Sequence, residues 1–295
     1  MRRAIVALVV ALAAAPSTPA HAQDVSGDAA ITVTRVVTLA DLARDGRTVE
    51  TTITYQAGSD AVPLVVLAHG SNGHPSKFTQ LMGAWAEAGY VVAAPAFPAG
   101  SSKDQVADMT FVIDEVLAMS RDEADPLFGL VDTRHIGAAG LSLGGGTVYA
   151  LVYNTCCRDK RVDAVVLMST IRIQIRGSKE KFPELPAMLI AGDADPISRV
   201  TESVYELLSP PKWKVVLFGG THSGPFEDTP DPADQVVRDI TTEFWNLSLK
   251  NDARSERSIS KAVEQYCDAE LVNQLDRSTG EGFACQRDTE SAPTS

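Results

Sequence analysis

The chain has 295 residues, 44% of them hydrophobic, which is enough for one large domain around a substantial core. Its formal charge is −12, from 38 acidic and 26 basic residues. An acidic surface of this kind repels phosphate backbones and anionic headgroups, so nucleic acid is excluded as a partner. No Cys/His spacing resembles a zinc site, and neither a metal nor a cofactor is expected.

Residues 1–22 read as a secretory signal peptide. Arg2 and Arg3 form a positive start, residues 4–15 an apolar run, and Ala20-His21-Ala22 a small-x-small cleavage site. The run is too short to span a bilayer, no cysteine follows it for lipid attachment, and no later segment suits a membrane anchor. Removing this segment removes two arginines and no acids, taking −12 to −14. The expected location is therefore secreted, either extracellular or periplasmic, and the sequence is silent on oligomeric state.

Residues 31–36 and 48–55 alternate and are rich in β-branched residues, with Asp45-Gly46 between them, which predicts an antiparallel strand pair. Residues 62–68 are continuously apolar, as in a strand buried on both faces. A helix is predicted over 77–88, a strand over 90–94, a helix over 103–120 and a strand over 135–139. Gly140-Leu141-Ser142-Leu143-Gly144 comes next, with a helix running to about residue 154. Strands at 162–168 and 187–191, a helix at 199–208, a strand at 213–218 and a helix at 232–249 complete the series. This β-α alternation predicts an α/β fold with a mostly parallel central sheet and helices on both faces. The catalytic domain is placed at 23–250, with a C-terminal helical extension at 251–295 whose end, 288–295, is expected to be disordered.

In that extension Ile259, Val263, Cys267, Leu271 and Leu275 recur every four residues, with Ala262 and Tyr266 on the same side. This predicts one amphipathic helix with Cys267 on its buried face. Export permits disulfides. Pairing the neighbours Cys156 and Cys157 would be strained, so each is expected to bond one of the tail cysteines, Cys267 and Cys285. The alternative is a single tail bridge with two reduced thiols.

The Gly140–Gly144 stretch carries the chemistry. A serine on a sharp strand-to-helix turn has a strained backbone and an exposed Oγ, and the flanking glycines let the chain turn. A serine nucleophile needs a base, and the base needs an orienting acid. His222 lies on a glycine-rich loop beyond the last strand and is the candidate base. Asp195 lies beyond the preceding strand and is the candidate acid, with Asp193 as fallback. Oxyanion donors are expected from the N–H of Leu143 and of Ser71, the latter in the loop after 62–68. His69 is read as ordering that loop, His135 as strand-start packing and His74 as a surface residue. Each candidate follows a strand predicted to be parallel, where open α/β sheets bind ligands.

Four motifs together resemble the α/β-hydrolase superfamily: Leu-Ala-His-Gly-Ser-Asn-Gly at 67–73, Gly-Leu-Ser-Leu-Gly-Gly-Gly at 140–146, Gly-Asp-Ala-Asp-Pro-Ile at 192–197 and Thr-His-Ser-Gly-Pro-Phe at 221–226. The order Ser142, Asp195, His222 is also that of the superfamily. More narrowly the chain is similar to dienelactone-hydrolase-like serine esterases, a group close to platelet-activating-factor acetylhydrolases and bacterial polyester hydrolases. It has Ser142 where true dienelactone hydrolases have cysteine. It has Ser71 and Leu143 where polyester hydrolases usually carry an aromatic residue and a methionine. The resemblance implies cofactor-free hydrolysis of a small-molecule or lipid-like carboxylic ester through an acyl-enzyme. An amidase or peptidase with the same triad, or a non-catalytic binding module on the fold, are the competing readings. Residues 169–186 are too few for a large cap domain. In that segment Ile171, Ile173 and Ile175 alternate with Arg172, Gln174 and Arg176, which is either a pocket wall with a cationic rim or an edge segment with solvated arginines.

Overall fold

A computed structural model describes residues 31–266, 269–274 and 281–284. Residues 1–22, Cys267, Cys285 and 288–295, on which some of the expectations above fall, lie outside them. The chain opens with β1 (Ile31–Asp41) and β2 (Arg47–Ala57), an antiparallel pair in continuous register from Ile31 opposite Ala57 to Asp41 opposite Arg47. Then follow β3 (Val62–Ala68), α1 (Thr79–Glu87), β4 (Val91–Ala96), α2 (Ser102–Met119), β5 (Val131–Leu141) and α3 (Leu143–Tyr153). The second half holds β6 (Val162–Met168), β7 (Ala187–Gly192), α4 (Ser198–Leu207), β8 (Lys212–Leu217), α5 (Asp234–Leu249), α6 (Ser255–Tyr266), β9 (Ala269–Gln274) and β10 (Glu281–Ala284).

These strands form one sheet in the order β1-β2-β4-β3-β5-β6-β7-β8-β9-β10. β4, β3, β5, β6, β7 and β8 are mutually parallel, and β2 runs antiparallel against β4. The fold is therefore α/β with a mostly parallel sheet, as the alternation predicts. β3 shows why its sequence is apolar throughout. Leu64 and Val66 face a core completed by Val106, Met109 and Val112 of α2 and by α3. Val65 and Leu67 face a second core completed by Trp85 of α1 and by Phe244 and Trp245 of α5. In that second layer Trp85 and Trp245 meet edge to face at 5.7 Å, and the Trp85 indole N–H donates to Thr241 Oγ1 at 2.9 Å. Trp85 is therefore fully buried with its one polar group satisfied.

Two expectations for the tail are corrected. The amphipathic helix ends at Tyr266: Ile259 and Val263 are buried in the second core, but 269–274 is the strand β9, antiparallel to β8. A four-residue recurrence is also a multiple of two, so the spacing from Val263 to Leu271 suits a strand face as well as a helix face. Pairing with the open edge of β8 decides the matter, because it satisfies a row of backbone groups left exposed there. The disulfide expectation is also overturned. Cys156 and Cys157 bond to each other, in the turn that follows α3. α6 carries the tail back along the sheet, so Ala269 pairs with Leu217 at the carboxyl end of β8. Cys156 follows the end of α3 that lies away from Ser142, whereas Ala269 pairs at the carboxyl end of β8.

Candidate active site

Ser142 stands between β5 and α3 at φ 54°, ψ −115°, a conformation that costs a non-glycine residue energy. Its N–H donates to Met168 O at the end of β6 (2.9 Å), and its carbonyl accepts the first intrahelical bond of α3, from Gly146 N–H (3.0 Å). The turn is this tight because Gly144 lacks a side chain. A Cβ there would overlap the carbonyl oxygens of Ala68 and His69 at the end of β3. Leu143 is the first residue of α3, so its N–H lies in the first helical turn, ahead of the first intrahelical bond. Ser71 follows Gly70, which lies close against Ser142: a Cβ on Gly70 would stand 3.4 Å from that of Ser142.

His222 and Asp195 reach Ser142 from the next strand ends. The loops after β7 and β8 run together. Asp193 N–H donates to Leu217 O and Ala194 N–H to Gly220 O, and a Cβ on Gly192 would overlap the Gly220 backbone. His222 Nε2 then lies 2.9 Å from Ser142 Oγ, and His222 Nδ1 lies 3.0 Å from Asp195 Oδ1. A carboxylate only accepts, so Nδ1 carries the proton and Nε2 accepts from the serine hydroxyl. Asp195 Oδ1 also takes Ile197 N–H at 2.9 Å. The Asp195 side chain is fully buried, while that of His222 is 36% exposed, so the hydrogen-bonded chain runs from the interior to the surface. Asp193 does different work: its Oδ1 accepts Gly219 N–H at 2.7 Å and braces the His222 loop.

The sequence gives no local signal for three further supports. Asp228, six positions past His222, accepts from the N–H groups of Thr79 and Gln80 and from the Thr79 hydroxyl, and its own N–H donates to Lys77 O. It caps α1 from far along the chain and fastens the His222 loop to it. Asp108, fully buried on α2, receives Arg44 and Arg47 from the β1–β2 hairpin. Arg47 also donates to Pro98 O and Ala99 O, holding the β4–α2 loop in place. Ser169, directly after β6, is the third, a buried serine at φ 41°.

His69 and His74 take the structural places expected of them, whereas His135, expected to pack at a strand start, lies four residues into β5 and is half-buried. His135 bonds Asp132 at the start of β5, and the exposed His74 caps a short 3-10 turn. His69 is buried. Its Nδ1–H donates to Gly70 O (2.7 Å) and its Nε2 accepts Phe97 N–H (3.1 Å), which ties the Ser71 loop to the β4–α2 loop. Burial pushes its pKa below the ordinary 6.5. The neutral form is the one the fold holds, so its contribution to stability is complete above the ordinary value and is lost as pH falls through the lowered one. Wild-type unfolding free energy should accordingly fall more steeply between pH 7 and pH 5 than that of His69→Gln, measured by urea denaturation. Equal slopes would show that His69 does not contribute.

Arg172 is not a free cation on a pocket rim. It pairs with Glu180, which also accepts the Tyr149 hydroxyl at 2.6 Å. The segment 169–186 holds no helix, and its Ile171 and Ile173 pack over Gly146 of α3. A groove of about 950 Å³ runs along α2, lined by Lys103, Val106, Phe111 and the Cys156–Cys157 bridge, but none of the site residues borders it. The polar alignment at Ser142, rather than the volume of this groove, marks the site. Among the described residues no group of His, Cys, Asp or Glu could hold a metal ion, and no helix is long and apolar enough to cross a membrane. No protein-family model matches this sequence, and no curated protein matches it significantly.

Proposed function

We propose that the chain is a secreted serine hydrolase of the α/β-hydrolase superfamily that cleaves carboxylic esters. The observation that carries this reading is the Asp195–His222–Ser142 relay, with hydrogen-bond distances of 3.0 and 2.9 Å between residues brought from three separate strand ends. The strained Ser142 turn between a strand and a helix, and the chain order Ser-Asp-His, support the same class.

Ser142 Oγ attacks the ester carbonyl while His222 Nε2 takes its proton. Negative charge on the carbonyl oxygen meets the N–H groups of Leu143 and Ser71. Collapse expels the alcohol, which His222 protonates, and leaves the acyl group on Ser142. Water, deprotonated by the same imidazole, then releases the acid. Asp195 keeps the imidazole in the tautomer that can accept from serine. The oxidised Cys156–Cys157 pair accords with a life outside the reducing cytosol.

The test is hydrolysis of p-nitrophenyl esters from acetate to palmitate by residues 23–295 and by Ser142→Ala, with fluorophosphonate labelling alongside. The wild type should turn over at least the short esters and take the label. The variant should lose both, with kcat down by about 10⁶. A folded wild type that hydrolyses no ester and takes no label overturns the proposal.

A further inference from the structure

The catalytic carboxylate is held on one side only. Asp195 Oδ1 has two donors, His222 Nδ1–H and Ile197 N–H, but Asp195 Oδ2 is buried and has no hydrogen-bond partner in the protein. An ionised oxygen left in this state is costly. A second orphan lies at the neighbouring strand end: Ser169 Oγ is likewise buried and unpartnered. Several bonds join the segments that carry the two residues. Ser169 N–H donates to Ile190 O of β7 at 2.7 Å, and Thr170 O accepts the hydroxyl of Thr201 on α4 at 3.2 Å. Ser198, the first residue of α4, donates its N–H to Asp195 O at 3.0 Å. Ser169 thus directly follows β6 and Asp195 lies in the loop after the adjacent β7, with the start of α4 bonded to Asp195 O. Met168, one residue earlier, accepts the N–H of Ser142, so the same stretch also supports the nucleophile.

We propose that Ser169 is a positioning residue for the acid: its hydroxyl donates to one buried water, which donates in turn to Asp195 Oδ2. A single water between a hydroxyl donor and a carboxylate acceptor resolves both orphans, and buried polar sites of this kind hold ordered water. With both oxygens engaged the carboxylate cannot rotate, and the His222 imidazole it orients stays aimed at Ser142 Oγ. The left-handed backbone of Ser169, φ 41°, is a conformation in which glycine would be easier to accommodate.

This inference rests on the proposed triad, and its test has a readout that does not need turnover. Ser169→Ala and Ser169→Gly both remove the hydroxyl, while only the glycine relieves the backbone. In both, kcat for a p-nitrophenyl ester should fall about tenfold with KM unchanged. In both, the far-downfield proton resonance of His222 Nδ1–H, assigned by its loss in His222→Gln, should move upfield and broaden. A folded variant that keeps the wild-type resonance and kcat overturns the proposal. So does a glycine variant that matches wild type while alanine does not, because the effect would then belong to the backbone. If the wild type hydrolyses no ester, the esterase reading fails on its own, and the resonance alone decides the role of Ser169.

Discussion

Asp195→Asn should lower kcat by about 10⁴ and leave KM nearly unchanged, whereas Asp193→Asn should keep most of the activity. The two aspartates sit two positions apart on one loop, and their surroundings separate them. Asp195 is buried with its Oδ1 on the imidazole, and an amide there can offer an N–H to Nδ1 and stabilise the tautomer that cannot take a proton from Ser142. Asp193 accepts a backbone N–H from Gly219, and the oxygen of an asparagine accepts it equally well. Steady-state kinetics on a short ester, with far-UV circular dichroism to confirm folding, distinguishes the two. Equal losses, or a larger loss at 193, would move the acid to the other residue and break the relay described here.

The second large effect is on stability. Gly144→Ala should destabilise the domain by about 3 kcal/mol or more, measured by urea unfolding. The added methyl would meet the carbonyl oxygens of Ala68 and His69. These are main-chain atoms at the end of a central strand and cannot swing aside as a flexible side chain would. A domain of ordinary stability, about 5–15 kcal/mol, could lose much of its margin through this one substitution. Gly83→Ala is the control. Gly83 lies in α1 with nothing within 4 Å of an added Cβ, so the change should stabilise by about 0.5–1 kcal/mol through helix propensity alone. If Gly144→Ala unfolds at the wild-type urea concentration, the close approach of the turn to β3 is wrong.

How much of this was legible beforehand depended on the range over which each signal acts. β3 and β6 have the bounds expected from their apolar runs, because burial on both faces excludes polar residues from most positions of such a strand. Ser142, His222 and Asp195 were readable because each follows a strand, and because glycine and proline mark the turns that carry them. The helix–strand change in the tail was not readable, since apolar residues spaced by four suit either element and the open edge of β8 is a feature of the assembled sheet. Asp228 and the Arg44–Asp108–Arg47 cluster were hidden for a similar reason. Their partners lie far away in sequence, and an aspartate on a helix looks the same whether it faces water or two arginines. Ser169 gave no sign because a serine in a loop is ordinarily solvated.

The bond between Cys156 and Cys157 has a consequence for chain entropy. A bridge from that turn to a tail cysteine would have closed a loop of roughly 100 residues and restrained the unfolded chain by about 4.7 kcal/mol. A bridge between neighbours closes no such loop, so the unfolded chain keeps nearly all its long-range freedom. Reducing it should therefore leave the unfolding midpoint close to where it was, and the two apolar layers on either side of the sheet must hold the described domain together without a covalent clasp from this pair.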